Sequence, residues 1–141
     1  MEWVNNLVDY GIIGFLVVLC FVVVMLSVER ILFYRSVRTD SYKSRKELEL
    51  DLQKNLPFIG TVASNSPYIG LLGTVLGIMM TFYNVGTSTK IDTGKIMVNL
   101  SLALKATAVG LVVAIIAVVL YNTLSGTTKK MLTRWDISNE G

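Results

Sequence analysis

The chain has 141 residues, 52% of them hydrophobic, a mean hydropathy of +0.58 and a net charge of +3. That balance fits a small membrane protein better than a soluble domain, and basic residues gathered beside apolar runs fit a membrane flank better than nucleic acid. With no histidine and a single cysteine, Cys20, the composition excludes histidine-containing zinc triads, histidine proton relays and an intramolecular disulfide.

The first element is an uncharged run over residues 10–28. Nineteen residues of helix cross a hydrocarbon core of about 30 Å. The flank before it carries Glu2 and Asp9 but no lysine or arginine, so it reads as a retained span rather than a cleavable signal. Cys20 lies within this run and reads as an inert thiol. Glu29 and Arg30 mark its end.

The segment 29–58 follows, with seven basic residues from Arg30 to Lys54. It has no glycine and no proline before Pro57, and leucines 48, 50, 52 and 56 sit among charges. The pattern predicts a short helical hairpin that turns between Thr39 and Pro57; a solvated, membrane-hugging connector is the competing reading.

The next uncharged stretch, residues 55–89, is too long for one simple span. The membrane part is placed at 67–85, with a helical approach from Phe58 and with Pro67 starting or kinking the span because proline removes a backbone donor. At 100° per residue, Ser66, Gly70, Thr74, Gly77, Thr81 and Asn84 share one face. A stripe of small and hydroxyl residues packs a neighbouring helix closely or lines a wet path.

Residues 86–95 read as a turn, and the third span covers 96–124. Its own small face holds Ala103, Thr107, Gly110, Ala114, Ala117 and Tyr121. Two such faces in so short a chain predict association into a homo-oligomer. The tail, 125–141, adds Lys129, Lys130 and Arg134. Ten basic residues then lie on one side of the membrane, against Lys90 and Lys95 on the other. The expected orientation has the N-terminus outside and 29–58 and the C-terminus in the cytoplasm. Trp3, Tyr10 and Tyr121 read as interfacial anchors.

None of the three spans contains aspartate or glutamate, the usual proton carriers in membranes. Any proton movement would therefore need an acid from another chain. No phosphate-binding loop, metal cluster or catalytic triad is present in the sequence, and an enzyme, a cofactor and a metal site are not expected.

The stretches "SPYIGLLGTVLGIMMTF" and "ALKATAVGLVVAIIAVVLYN" resemble the ExbB/TolQ/MotA group of proton-channel subunits, ExbB and TolQ above all. The resemblance implies an all-α membrane protein with three spans, a single domain over 1–141, and a ring-forming homo-oligomer, a pentamer in the family, in the bacterial inner membrane. It implies an ExbD-like partner that supplies a membrane aspartate, and a TonB-like protein through which the proton-motive force energises uptake across the outer membrane. A TolQ-like role in envelope maintenance and division is the alternative within the family; a non-conducting scaffold is the alternative outside it. Lipids complete the expected partners.

The family's pore-facing threonines fall on Thr74 and Thr107, with Thr81 on the same stripe as Thr74. Gly70, Gly73, Gly77, Gly110 and Ala114 are the expected helix-packing positions. Two departures stand out. Most of the family's large cytoplasmic segment is absent, and the position where the family commonly has glutamate is Leu102. The nearby charge is Lys105, which on a helical wheel lies well away from Thr107. Three placements are open for it: facing the partner's aspartate, lodged between subunits, or snorkelling to the outer headgroups.

Overall fold

The computed structural model describes the backbone of residues 2–140 and the side chains of residues 7–140. Trp3 therefore lies outside the described side chains. Four helices follow one another: α1 (Glu2–Ser36), α2 (Arg45–Leu52), α3 (Leu56–Thr87) and α4 (Thr93–Asn139), with one 3-10 turn at Thr39–Ser41. Among the described residues there is no strand. α1, α3 and α4 are each long and apolar enough to cross a membrane.

All three outrun the expected spans at 10–28, 67–85 and 96–124. α1 continues to Ser36, because Ile31, Leu32, Phe33 and Tyr34 have no breaker among them. α4, at 47 residues and 1.5 Å per residue, is roughly 70 Å long, more than twice the hydrocarbon thickness. Its start is fixed by Asp92, whose carboxylate accepts the Lys95 backbone N–H at 3.3 Å. α3 begins at Leu56, eleven residues before the expected membrane segment. Asn55 precedes it with φ 69°, a left-handed conformation that asparagine tolerates better than most residues, and Pro57 occupies the first turn. Pro67 lies inside α3 rather than at its start.

α3 and α4 pair antiparallel, and α1 packs over both. The main core runs between them through Leu16, Val23, Ile59, Val62, Val113, Ala117 and Leu124. The buried seam of α1 has a seven-residue period: Leu16, Val23 and Arg30 are 0%, 0% and 2% exposed.

The 29–58 segment is not a pair of matched arms. α1 provides the outward limb, and the return is the eight-residue α2, lying against the far ends of α1 and α4. Leu48, Leu52 and Leu132 form a second core there, with Phe33, Tyr34, Val37, Tyr42, Met131 and Trp135 around it. Arg45 ties α2 to α4 through Asp136 at 3.2 Å, and the Trp135 indole N–H donates to the Tyr42 carbonyl at 3.2 Å.

Candidate functional site

The small-residue stripe of α3 faces inward. Ser66, Gly70, Thr74, Gly77 and Thr81 are buried, and Asn84 is half-buried. Its counterpart is the stripe of α4: Ala103, Gly110, Ala114 and Ala117 are buried, while Thr107 and Tyr121 are half-buried. The two faces therefore meet within one chain. This overturns the argument from the stripes to an oligomer, because the close-packing surfaces satisfy each other inside the subunit.

The approach is as close as glycine permits. A Cβ on Gly70 would stand 2.7 Å from the Ala106 carbonyl oxygen, and one on Gly110 would stand 2.7 Å from that of Ser66. At Gly73 and Gly77 it would meet the Cβ atoms of Ala106 and Ala103 at 2.8 and 2.7 Å. Backbones at this distance hold helices together by dispersion contacts in a medium that offers no hydrophobic drive between them.

The hydroxyls along this seam divide into two kinds. Ser66 and Thr81 donate back to their own helix, to the Val62 and Gly77 carbonyls at 2.6 and 2.8 Å. That satisfies each donor locally and leaves no bond between helices. Thr74 and Thr107 behave differently. Thr74 Oγ1 reaches the Ala103 carbonyl of α4 at 2.9 Å, and Thr107 Oγ1 reaches the Gly70 carbonyl of α3 at 3.3 Å. The two hydroxyls also contact each other, and either can be the donor. Thr74 Oγ1 also lies 3.4 Å from the Gly70 carbonyl of its own helix. Two protons thus serve four interactions, so hydroxyl rotation alone changes which oxygen is left accepting.

Lys105 is not part of this cluster. It is exposed and lines an apolar trough of about 540 Å³ between α1 and α4, beside Val17, Cys20, Phe21 and Val24. Among the described residues it makes no ion pair. Leu102, at the family's glutamate position, is 38% exposed.

Two charged groups have environments that the sequence reading missed. Asp9 lies one residue before the first uncharged run. Its Oδ1 is buried with no hydrogen-bond partner among the described residues, 3.7 Å from where a Gly77 Cβ would stand. It brings a carboxylate of this chain to the junction of α1, α3 and α4. Arg30 is no simple boundary residue. Its Nη1 donates to the Asp51 carbonyl at 2.6 Å, its Nε and Nη2 bind Glu29, and its guanidinium stacks over Phe33 at 4.5 Å. Tyr34 OH donates to the Leu52 carbonyl at 2.5 Å and accepts from Thr128. Arg30 and Tyr34 together cap the last turn of α2, where carbonyls lack intrahelical donors and favour a cation. The available signal was spacing: Asp9, Leu16, Val23 and Arg30 are each seven residues apart, which puts both charges on the buried seam.

Residues 25–137 match the MotA/TolQ/ExbB proton channel family. Over 133 residues the chain is 52% identical to a Helicobacter pylori protein named biopolymer transport protein ExbB-like 2, covering 94% of this chain and 89% of that one. It is 49% identical over 136 residues to the biopolymer transport protein ExbB of Aquifex aeolicus, covering 96% and 92%. The Pseudomonas aeruginosa Tol-Pal system protein TolQ is 41% identical over 87 residues, covering 62% of this chain and 38% of that protein. A match over both C-terminal spans and the segment before them, together with near full-length relatives at about half identity, places this multi-pass chain in the MotA/TolQ/ExbB family, as a short ExbB-like member.

Proposed function

We propose that this chain is the channel subunit of an inner-membrane proton motor. It forms a ring around the transmembrane helices of an ExbD-like partner, and the partner's aspartate carries the proton. The motion so driven passes through a TonB-like protein to energise uptake across the outer membrane. The observation that carries the reading is the Thr74–Thr107 pair. It is the one place among the described residues where hydroxyls of α3 and α4 touch. α3 has no carboxylate, and α4 has none before Asp136. A rotating pair of hydroxyls can accept from a protonated acid and donate to an ionised one without itself ionising at neutral pH. Near full-length similarity to proteins named ExbB supports the TonB-linked role over the alternatives. The partial likeness to TolQ proteins keeps a TolQ-like role as the second reading.

The basic residues of the 29–58 segment and the tail support an orientation with that end in the cytoplasm.

The test is proton flux into liposomes holding the chain with its co-expressed ExbD-like partner. Thr74→Val and Thr107→Val should each lower partner-dependent flux at least tenfold. Wild-type flux in both, or flux that does not require the partner, would overturn the reading. Lys105→Met in the same assay should leave flux unchanged, since Lys105 lines the trough and not the threonine pair; a large loss would return it to the conducting path.

A further inference from the structure

α1 and α4 separate again where they leave the membrane segment, opening a cleft of about 300 Å³. Its walls are Ile31 and Tyr34 of α1 and Leu124, Thr127 and Met131 of α4, and its rim carries Arg35 from α1 and Arg134 from α4. Among the described residues no acidic one lines it. Among the described residues neither arginine side chain is in an ion pair or hydrogen bond, whereas Arg30 and Arg45 both are. Two exposed cations from two helices thus face one apolar-floored cleft with no anion among the described residues to neutralise them.

The backbone at Arg35 lies just beyond a headgroup layer, with the side chain in reach of it. Arg35 is seven residues past the end of the uncharged run at 28, roughly 10 Å along the helix. The headgroup region of a bilayer is about 5–8 Å deep on each side. Side chains on a helix lean toward its N-terminus, and α1 and α4 both run out of the membrane here. Both arginine stems therefore lean back toward the bilayer. Further into the membrane the same two helices form the trough lined by Val17, Cys20, Phe21, Val24, Val112 and Val113, which is apolar apart from Lys105.

From this geometry we infer that the α1–α4 cleft is a binding site for an anionic phospholipid, with the phosphate held by Arg35 and Arg134 and an acyl chain laid along the apolar trough. Guanidinium groups match phosphate oxygens with two parallel donors each. Basic pockets between membrane helices at the cytoplasmic face are a recurrent setting for such headgroups. The site rests on α1 and α4 spanning the membrane, and not on proton conduction, so it stands or falls apart from the flux assay.

The full chain, purified in mild detergent, would be mixed with equal amounts of phosphatidylglycerol and phosphatidylcholine, and the lipid retained per subunit read by native mass measurement. Wild type should retain phosphatidylglycerol preferentially. Arg35→Gln/Arg134→Gln should lose at least three-quarters of it, and the exposed control Lys129→Gln/Lys130→Gln should retain it. Both pairs are at the surface, and circular dichroism would verify that each folds. Equal retention of the two lipids, full retention by the arginine variant, or equal loss in the control would overturn the site. Displacement of the lipid by millimolar inorganic phosphate would also overturn it, in favour of a free-anion site. So would an intersubunit disulfide from Thr127→Cys in a Cys20→Ser background, because a second copy would then occupy the cleft.

Discussion

At the residue scale, function and stability rest on polar groups that found partners in an apolar surrounding. Arg30 is the clearest case. A buried guanidinium without acceptors would be strongly disfavoured, but here it meets a backbone carbonyl, a carboxylate and an aromatic face. Arg30→Met keeps the apolar stem and removes the bond to the Asp51 carbonyl. A hydrogen bond from a charged group contributes about 1.5–3 kcal/mol, so a loss of roughly 2 kcal/mol is expected, read as a lower thermal midpoint in detergent. Loss of α2 helicity should accompany it, since the last carbonyls of α2 lose their cap. Asp9 is the opposite case, with one buried oxygen that has no partner among the described residues. Its burial was hidden because the residue stands just outside the uncharged run, and only the seven-residue spacing to Leu16 connects it to the seam.

At the element scale, the α3–α4 seam and the docking of α2 respond to different changes. Gly110→Ala would push a methyl to 2.7 Å from the Ser66 carbonyl oxygen, and backbone cannot step aside as a side chain can. Overpacking of this kind costs about 1–3 kcal/mol. Gly126→Ala, in the same helix with open space around it, should instead stabilise by about 0.5–1 kcal/mol through helix propensity. Thermal unfolding of the two variants should therefore move in opposite directions; equal shifts would mean that α3 and α4 do not approach as described. α2 carries a pH-sensitive contact. Tyr42 OH donates to the Asp51 carboxylate at 2.5 Å, and this bond raises the phenol above its usual 10.0 by holding the neutral form. A raised value means the contact stabilises α2 fully below pH 10 and is lost as pH climbs through the folded-state value. Wild type should show an alkaline loss of α2 docking, followed by Trp135 fluorescence, that Tyr42→Phe lacks.

At the scale of the whole molecule, a single subunit leaves much apolar surface outward, including Phe15, Phe21, Leu71, Leu72, Met79, Phe82 and Ile115. Lipid covers part of such a surface in any membrane protein, so exposure alone does not count subunits. The family implies a ring, and the small-residue stripes no longer argue for one because they are spent within the subunit. Native mass measurement after co-expression with an ExbD-like partner should give a homo-oligomer with partner helices bound. A monomer that carries no partner would remove the motor reading while leaving the fold untouched.

The sequence by itself determined the number of apolar helices, the face of α3 and α4 that carries small residues, and the family. Each of these follows from local periodicity and composition, which need no partner to be read. Only the tertiary structure decided what the stripes pack against, that Ser66 and Thr81 bond to their own helix while Thr74 and Thr107 bridge two, and that Arg30 is buried. It also placed Lys105 in the trough between α1 and α4, away from the threonines. These outcomes depend on which helix comes to lie over which. A donor's partner, unlike a helical period, is set by the distance between residues that are 18 to 94 positions apart in the chain.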